Sequence, residues 1–144
     1  MPNKMLTRKE EDYLDVIYTL IKDKGYARVK DIAAELHVSP PSVVEMIKKF
    51  KGKELVSSEK NAPIILTKKG AEIARIVKIK HDTFRKFFKM ILVPEEIAKK
   101  DSLKIEHNLH PTTIEQLKKF IDFFESDKIY PVCLGRFEDY CKKK

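Results

Sequence analysis

Glu106 and His107 stand side by side in "SLKIEHNLH", residues 102–110, and both are good donors to a divalent cation. Groups of the same chemistry lie far away in the chain. "EEDYLD" sets Asp12 and Asp15 three residues apart, the spacing that puts two carboxylates on one helical face. His81 lies in "KIKHDTF". Three carboxylates and two imidazoles, none explained by an apolar stripe, make a mixed oxygen and nitrogen set suited to manganese, iron(II), cobalt or zinc. With no thiolate in the set, a closed structural zinc site is disfavoured. The plainer reading of the same residues is that the acids are dipole partners near a helix start and the histidines are solvated.

These side chains must be carried by helices. Residues 10–24 place Tyr13, Ile17, Leu20 and Ile21 at helical spacing, and Gly25 ends that helix. Val29, Ile32, Ala33 and Leu36 form a short second helix, and "HVS" makes a tight turn. Ser39 then stands as N-cap, with Pro40 and Pro41 in the first turn, where proline costs least. A third helix from about Pro40 to Lys53 turns Val43, Ile47 and Phe50 inward. Two short helices across a tight turn are the helix-turn-helix pattern.

"LVSSEKNAPIILTKKG" adds a strand, a polar turn around Lys60 to Ala62 and a second strand "IILT", which is a hairpin wing. A long helix follows from Gly70 to Leu92, another over 94–109 and a last over 112–126. On that last helix Ile114, Leu117, Phe120, Ile121 and Phe124 share one stripe. A small domain does not cover so much apolar surface, and the stripe is expected to meet its copy in a homodimer. The expected fold is therefore mainly α: a winged helix-turn-helix domain, 1–70, followed by an all-helical domain, 71–144. In the tail, Phe137 and Tyr140 suit a short helix packed on the dimer core, and the final lysines are expected to be disordered.

Charge and composition agree with this outline. A chain of 144 residues buries one real core or two small ones. Its 30 Lys and Arg against 22 Asp and Glu leave a formal +8, which points to a polyanionic partner, nucleic acid before membrane surface. No apolar run approaches a membrane span, and "MPNKMLTRKE" lacks the hydrophobic core of a signal peptide, so a cytoplasmic location is expected. Cys133 and Cys141 match no CxxC zinc knuckle and are expected to be free thiols. The absence of a Gly-rich phosphate loop, an HExxH or a spaced Ser and His pair argues against an enzyme.

Taken in order, "EDYLDVIY", "KGYARVKDIAAELHVSPPSVVEMIKKF", "LTKKG", "KIKH" and "IEHNL" resemble the diphtheria-toxin-repressor family of metal-dependent transcriptional regulators, over about residues 6–126. The likeness is to its short manganese-responsive branch, without the SH3-like domain of the iron-responsive branch. The resemblance implies a ligand set of Asp12, Asp15, His81, Glu106 and His107. It also implies a divalent corepressor, Mn2+ or Fe2+, acting on a homodimer that binds a double-stranded DNA operator. The chain departs from the pattern at Leu103, three residues before Glu106, where the family has a Glu or Cys ligand. Leucine cannot bind metal, so one ion per subunit is expected rather than a two-metal cluster. The alternative is a winged-helix regulator that has lost metal sensing and binds DNA constitutively or answers a small molecule.

On the DNA side the recognition helix presents Ser39, Pro41, Ser42 and Glu45 near its amino end and Lys48 and Lys49 further along, with Lys60 in the wing. Serine hydroxyls and a helix amino terminus suit phosphate. Glu45 either accepts from a cytosine amino group or repels phosphate. For each lysine the plain reading is an exposed solubilising charge.

Overall fold

A capping box opens the first helix: the Thr7 hydroxyl accepts from the Glu10 amide at 3.2 Å, and the Glu10 carboxylate accepts from the Thr7 amide at 2.8 Å. In the computed structural model, which describes residues 6–144, that helix is α1, Arg8–Lys24. It starts slightly earlier than the apolar spacing indicates, because the cap and not the stripe sets the first turn. The first five residues of the expected 1–70 domain lie outside the described residues. Gly25 ends α1 at φ 86°, a left-handed position that costs glycine nothing.

α2, Val29–Leu36, and α3, Pro40–Gly52, follow as the expected pair. His37 makes the turn between them in the left-handed region, φ 54°. Ser39 caps α3 by accepting from the Ser42 amide. The wing is short: β1, Val56–Ser57, pairs antiparallel with β2, Ile65–Leu66, setting Val56 opposite Leu66 and Ser57 opposite Ile65. Ala27 extends the ladder by exchanging both backbone bonds with Ile64.

The expected strand "IILT" loses its last residue for a reason visible at Thr67. The Thr67 hydroxyl donates to the Glu54 carbonyl at 2.7 Å and accepts from the Gly70 amide at 3.0 Å, so it caps α4, Lys68–Met90. α1, α2, α3 and the wing enclose one core. Leu14, Ile17, Ile32, Val43 and Phe50 are all at 0% exposure within it.

Two compact units divide inside α4, the first reaching Lys78 and the second running Ile79–Lys144. The second unit holds the end of α4, then α5, Glu95–Ile105, a 3-10 turn, Glu106–Asn108, α6, Pro111–Ser126, and α7, Tyr130–Lys142. The helix expected over 94–109 thus tightens before its end. Asn108 donates its side-chain amide to the Lys104 carbonyl at 3.1 Å across the tightened turn. The tail forms a full helix to Lys142. The molecule is mainly α, a winged helix-turn-helix followed by a helical domain. No helix among the described residues is long and apolar enough to cross a membrane.

The cores differ in kind. In the second unit the buried apolar side chains are Phe84, Ala98 and Ile121, and Thr83, His81, Ser102 and Glu106 are buried with them. On α6, Ile121 alone of the predicted stripe is buried, and Phe120 stays 48% exposed.

One close approach in the first unit is tight enough to predict from. A Cβ on Gly70 would lie 1.9 Å from the Leu55 carbonyl oxygen, a backbone atom with no room to move. Gly70→Ala is expected to destabilise the first unit by about 2 kcal/mol, as overpacking does, and to lower its melting temperature by several degrees in a circular-dichroism scan. A variant that melts like its parent would show that α4 shifts freely at this point.

Candidate metal centre and nucleic-acid face

His81 reaches the second unit's interior from α4, and Glu106 and His107 come from the 3-10 turn after α5. Their donor atoms lie within 4.8 Å of one another. The His81 Nε2 meets Glu106 Oε1, His107 Nε2 stands 3.5 Å from the same oxygen, and the two imidazoles face each other edge-on at 80°. Glu106 is 1% exposed. A carboxylate taken this far from water needs a compensating positive charge or a full set of donors. Two neutral imidazoles and a carboxylate are a donor set for a first-row divalent cation, so the residues present fit such a group.

The positions around Leu103 offer that set nothing more. Leu103 is half-buried on α5. Ser102 spends its hydroxyl on the Lys99 carbonyl at 3.0 Å, and Asp101 pairs with Lys104 at 3.7 Å. Cys133 and Cys141 are exposed on α7, a different element from the cluster.

In the first unit, α1 presents a row of acids. Asp12 and Asp15 each keep one oxygen buried, and Asp15 Oδ1 lies 3.8 Å from the Lys78 ammonium. Glu11, four residues before Asp15 and so on the same row, is 2% exposed. Sequence spacing does not single Glu11 out. The available signal is that Thr7 and Glu10 complete the capping box, so Glu11 is not needed to cap the helix.

Glu10 faces α3. Its burial by itself raises the carboxyl pKa, but the Thr7 amide and the Lys53 and Lys49 ammonium groups outweigh burial and hold it below the usual carboxylate range.

The nucleic-acid residues sit on the outer side of the same unit. Ser39, Pro41, Glu45, Lys48 and Lys49 are exposed on and before α3, Ser42 is half-buried, and the Ser39 and Ser42 hydroxyls are bonded at 2.9 Å. Lys60 is exposed at the wing turn. Between α3 and the wing runs an open groove of about 820 Å³, where Arg28, Lys30, Lys48, Lys51 and Lys60 meet a single acid, Glu59. Arg28 and Lys30 are the additions to the sequence reading. They belong to α2 and its start, and only the fold brings them beside α3.

Comparison with known proteins agrees with both halves. Residues 5–62 match the family model "Iron dependent repressor, N-terminal DNA binding domain", and residues 67–129 match "Iron dependent repressor, metal binding and dimerisation domain". The HTH-type transcriptional regulator MntR of Bacillus velezensis is 39% identical over 124 residues, covering 86% of this chain and 87% of the relative. MntR of Bacillus subtilis is 39% identical over 123 residues, covering 85% and 87%. Among solved structures, the manganese regulator SloR is 33% identical with a TM-score of 0.70. The metal-dependent transcriptional regulator MtsR is 29% identical with a TM-score of 0.72. Each of these two alignments covers 82% of this chain and 55% of the solved chain, so this chain spans about half the length of those regulators. With both domain models matched in order and the MntR relatives aligned over most of its length, the chain belongs to the iron dependent repressor family of metal-dependent transcriptional regulators.

Proposed function

We propose that the chain represses transcription as a homodimer on a double-stranded DNA operator in the cytoplasm, controlling metal-ion uptake, with a divalent cation as corepressor. The observation that carries this reading is the convergence of His81, Glu106 and His107 around one buried carboxylate, in a chain whose other unit is a basic winged helix. The proposed ligands are Asp12 and Asp15 of α1 with His81, Glu106 and His107. Glu11 is a further carboxylate on the same helical row. Manganese or iron(II) fits the oxygen and nitrogen donors and the relatives named as manganese regulators, and the loss of a donor at Leu103 supports one ion per subunit. The bound ion supplies positive charge that relieves repulsion among these acids.

The rest follows from the protein's own groups. Without that charge the α1 acids and Glu106 resist being gathered at one point. With it, the spacing of the two recognition helices that fits successive major grooves gains population. Ser39, Pro41, Ser42 and Glu45 meet the groove at the amino end of α3, and Lys48, Lys49 and Lys60 meet phosphate. The exposed Phe120, Phe123, Ile129 and Val132 of the second unit support the homodimer, since large apolar side chains left in water by α6 and the start of α7 gain from being covered by a second copy. We propose no catalytic role, because the acids and imidazoles here have a sensor's setting.

The test is binding of chelator-treated protein to its own promoter duplex, titrated with manganese, iron(II), cobalt and zinc. At least one of these metals is expected to tighten binding tenfold or more, ~1.4 kcal/mol of coupling, and His107→Ala is expected to lose that response. Equal affinity in chelator and in metal would leave a constitutive or small-molecule-responsive regulator. On the DNA face, Lys48→Ala is expected to weaken binding similarly across sequences and to reduce the slope of log affinity against log salt by about 1, the signature of one lost phosphate contact. An unchanged slope would remove Lys48 from the interface.

A further inference from the structure

α1 carries the proposed metal acids, and one residue before them it carries a different kind of acid. Lys53, the C-cap residue of α3, donates its ammonium to both Glu10 oxygens at 3.0 Å, and Lys49, one turn earlier on α3, stands 3.9 Å from Glu10 Oε1. The Glu10 side chain is 3% exposed and that of Lys53 35%. Glu10 is also fixed from its own side by the Thr7 amide at 2.8 Å. An exposed ion pair contributes little, because water screens it and both side chains lose freedom. A carboxylate this enclosed, bidentate to one ammonium and pinned by its own capping box, has no comparable freedom to lose. The far side of the same helix end is also held, for the Lys69 ammonium donates to the Lys53 carbonyl at 3.2 Å.

We propose that Glu10 is a positioning residue for DNA recognition: by gripping Lys53 it ties the carboxyl end of the recognition helix to α1, so that metal held by the α1 acids sets the pose in which α3 meets the major groove. This rests on the metal reading above. Glu11, Asp12 and Asp15 follow Glu10 directly on a rigid helix, so a displacement of α1 at the acids is a displacement at Glu10. The grip lies at the end of α3 remote from Ser39, Pro41 and Ser42, which leaves the reading end open.

The experiment uses the full chain and the promoter duplex, with and without manganese, for the parent, Glu10→Gln, Lys53→Met and Lys53→Arg. Glutamine retains an oxygen for the Thr7 amide but loses the charge that holds Lys53. For Glu10→Gln, manganese affinity read by electron paramagnetic resonance of the free ion is expected to stay within about twofold of the parent. Its manganese-dependent tightening on DNA is expected to fall by about tenfold or more, a size within the range of ordinary coupling. Lys53→Met is expected to lose the response likewise, and Lys53→Arg, which keeps the donor, to retain most of it. A role in stability alone would move the melting temperature and leave the manganese-to-chelator affinity ratio intact, which overturns the proposal. Tighter DNA binding by Glu10→Gln with a steeper salt slope also overturns it, since Lys53 would then be a phosphate contact that Glu10 restrains. Should Glu10→Gln fail to fold, the contrast between Lys53→Met and Lys53→Arg decides by the same ratio. A parent with no manganese response defeats the metal reading and this inference together; a responsive parent with an equally responsive Glu10→Gln defeats this inference alone.

Discussion

The carboxyl end of the recognition helix is the point on which the first unit is organised. Two segments spend polar groups there: α1 through Glu10 on Lys53, and the start of α4 through Thr67 on the Glu54 carbonyl and Lys69 on the Lys53 carbonyl. Gly70 adds a backbone approach to Leu55 that no side chain would permit. The last carbonyls of α3 accept from the amides of Lys53, Glu54 and Leu55 that follow it, and the start of α4 takes the Lys53 and Glu54 carbonyls just beyond. The amino end of the same helix is treated oppositely. Only its own Ser39 caps it, and its outer residues face solvent. A recognition helix held at one end and open at the other is oriented without having its reading surface covered.

The second unit is organised by a different constraint, a buried charge. Glu106 lies between two imidazoles at 1% exposure, and Ser102 and Thr83 are buried nearby in sequence on α5 and α4. Deep polar groups cost stability unless they are satisfied, so a core built around them gains less from folding than an apolar one. The first unit buries a continuous apolar cluster from Tyr13 to Ala74, and its buried acids among the described residues, Glu10 and Glu11, both lie on α1. The asymmetry matches the proposed roles: a DNA-binding unit with the larger apolar core, and a sensing unit whose core is built around polar groups.

The legibility of the sequence followed the same division. Where one physical rule fixes a feature locally, the residues announce it. Gly25 ends α1, Ser39 and the proline pair open α3, and apolar spacing places Tyr13, Ile17, Val43 and Phe50 inside. The convergence of His81 with Glu106 and His107 was anticipated only as a set of donor types, and the resemblance to a known family is what ordered them. What spacing could not show was set by tertiary context. Thr67 leaves the strand because Glu54 offers it a carbonyl. The helix after Pro94 tightens at Glu106 under the Asn108 bond, and Arg28 and Lys30 join the basic groove because α2 packs beside α3. Glu11 and Glu10 look alike in the string "EED" and differ entirely in the fold, one facing Lys53 and the other lying in the row with Asp15.

That last contrast carries the wider point about how one helix serves two functions. Successive residues on a helix point about 100° apart, so neighbours in sequence address different parts of the protein. Glu10 and Glu11 use this: a rigid 17-residue rod carries the proposed metal acids on one row and the grip on α3 on the next. No long chain of intermediates is needed for one side to influence the other, because the rod moves as a body. The thermodynamic requirement is only that a bound ion favours one pose of α1 over its alternatives, and any preference of a kilocalorie or two at the acids, ~10-fold in population, is then passed to α3 through whatever holds the two helices together. In the first unit the buried polar contact in that place is the carboxylate of Glu10.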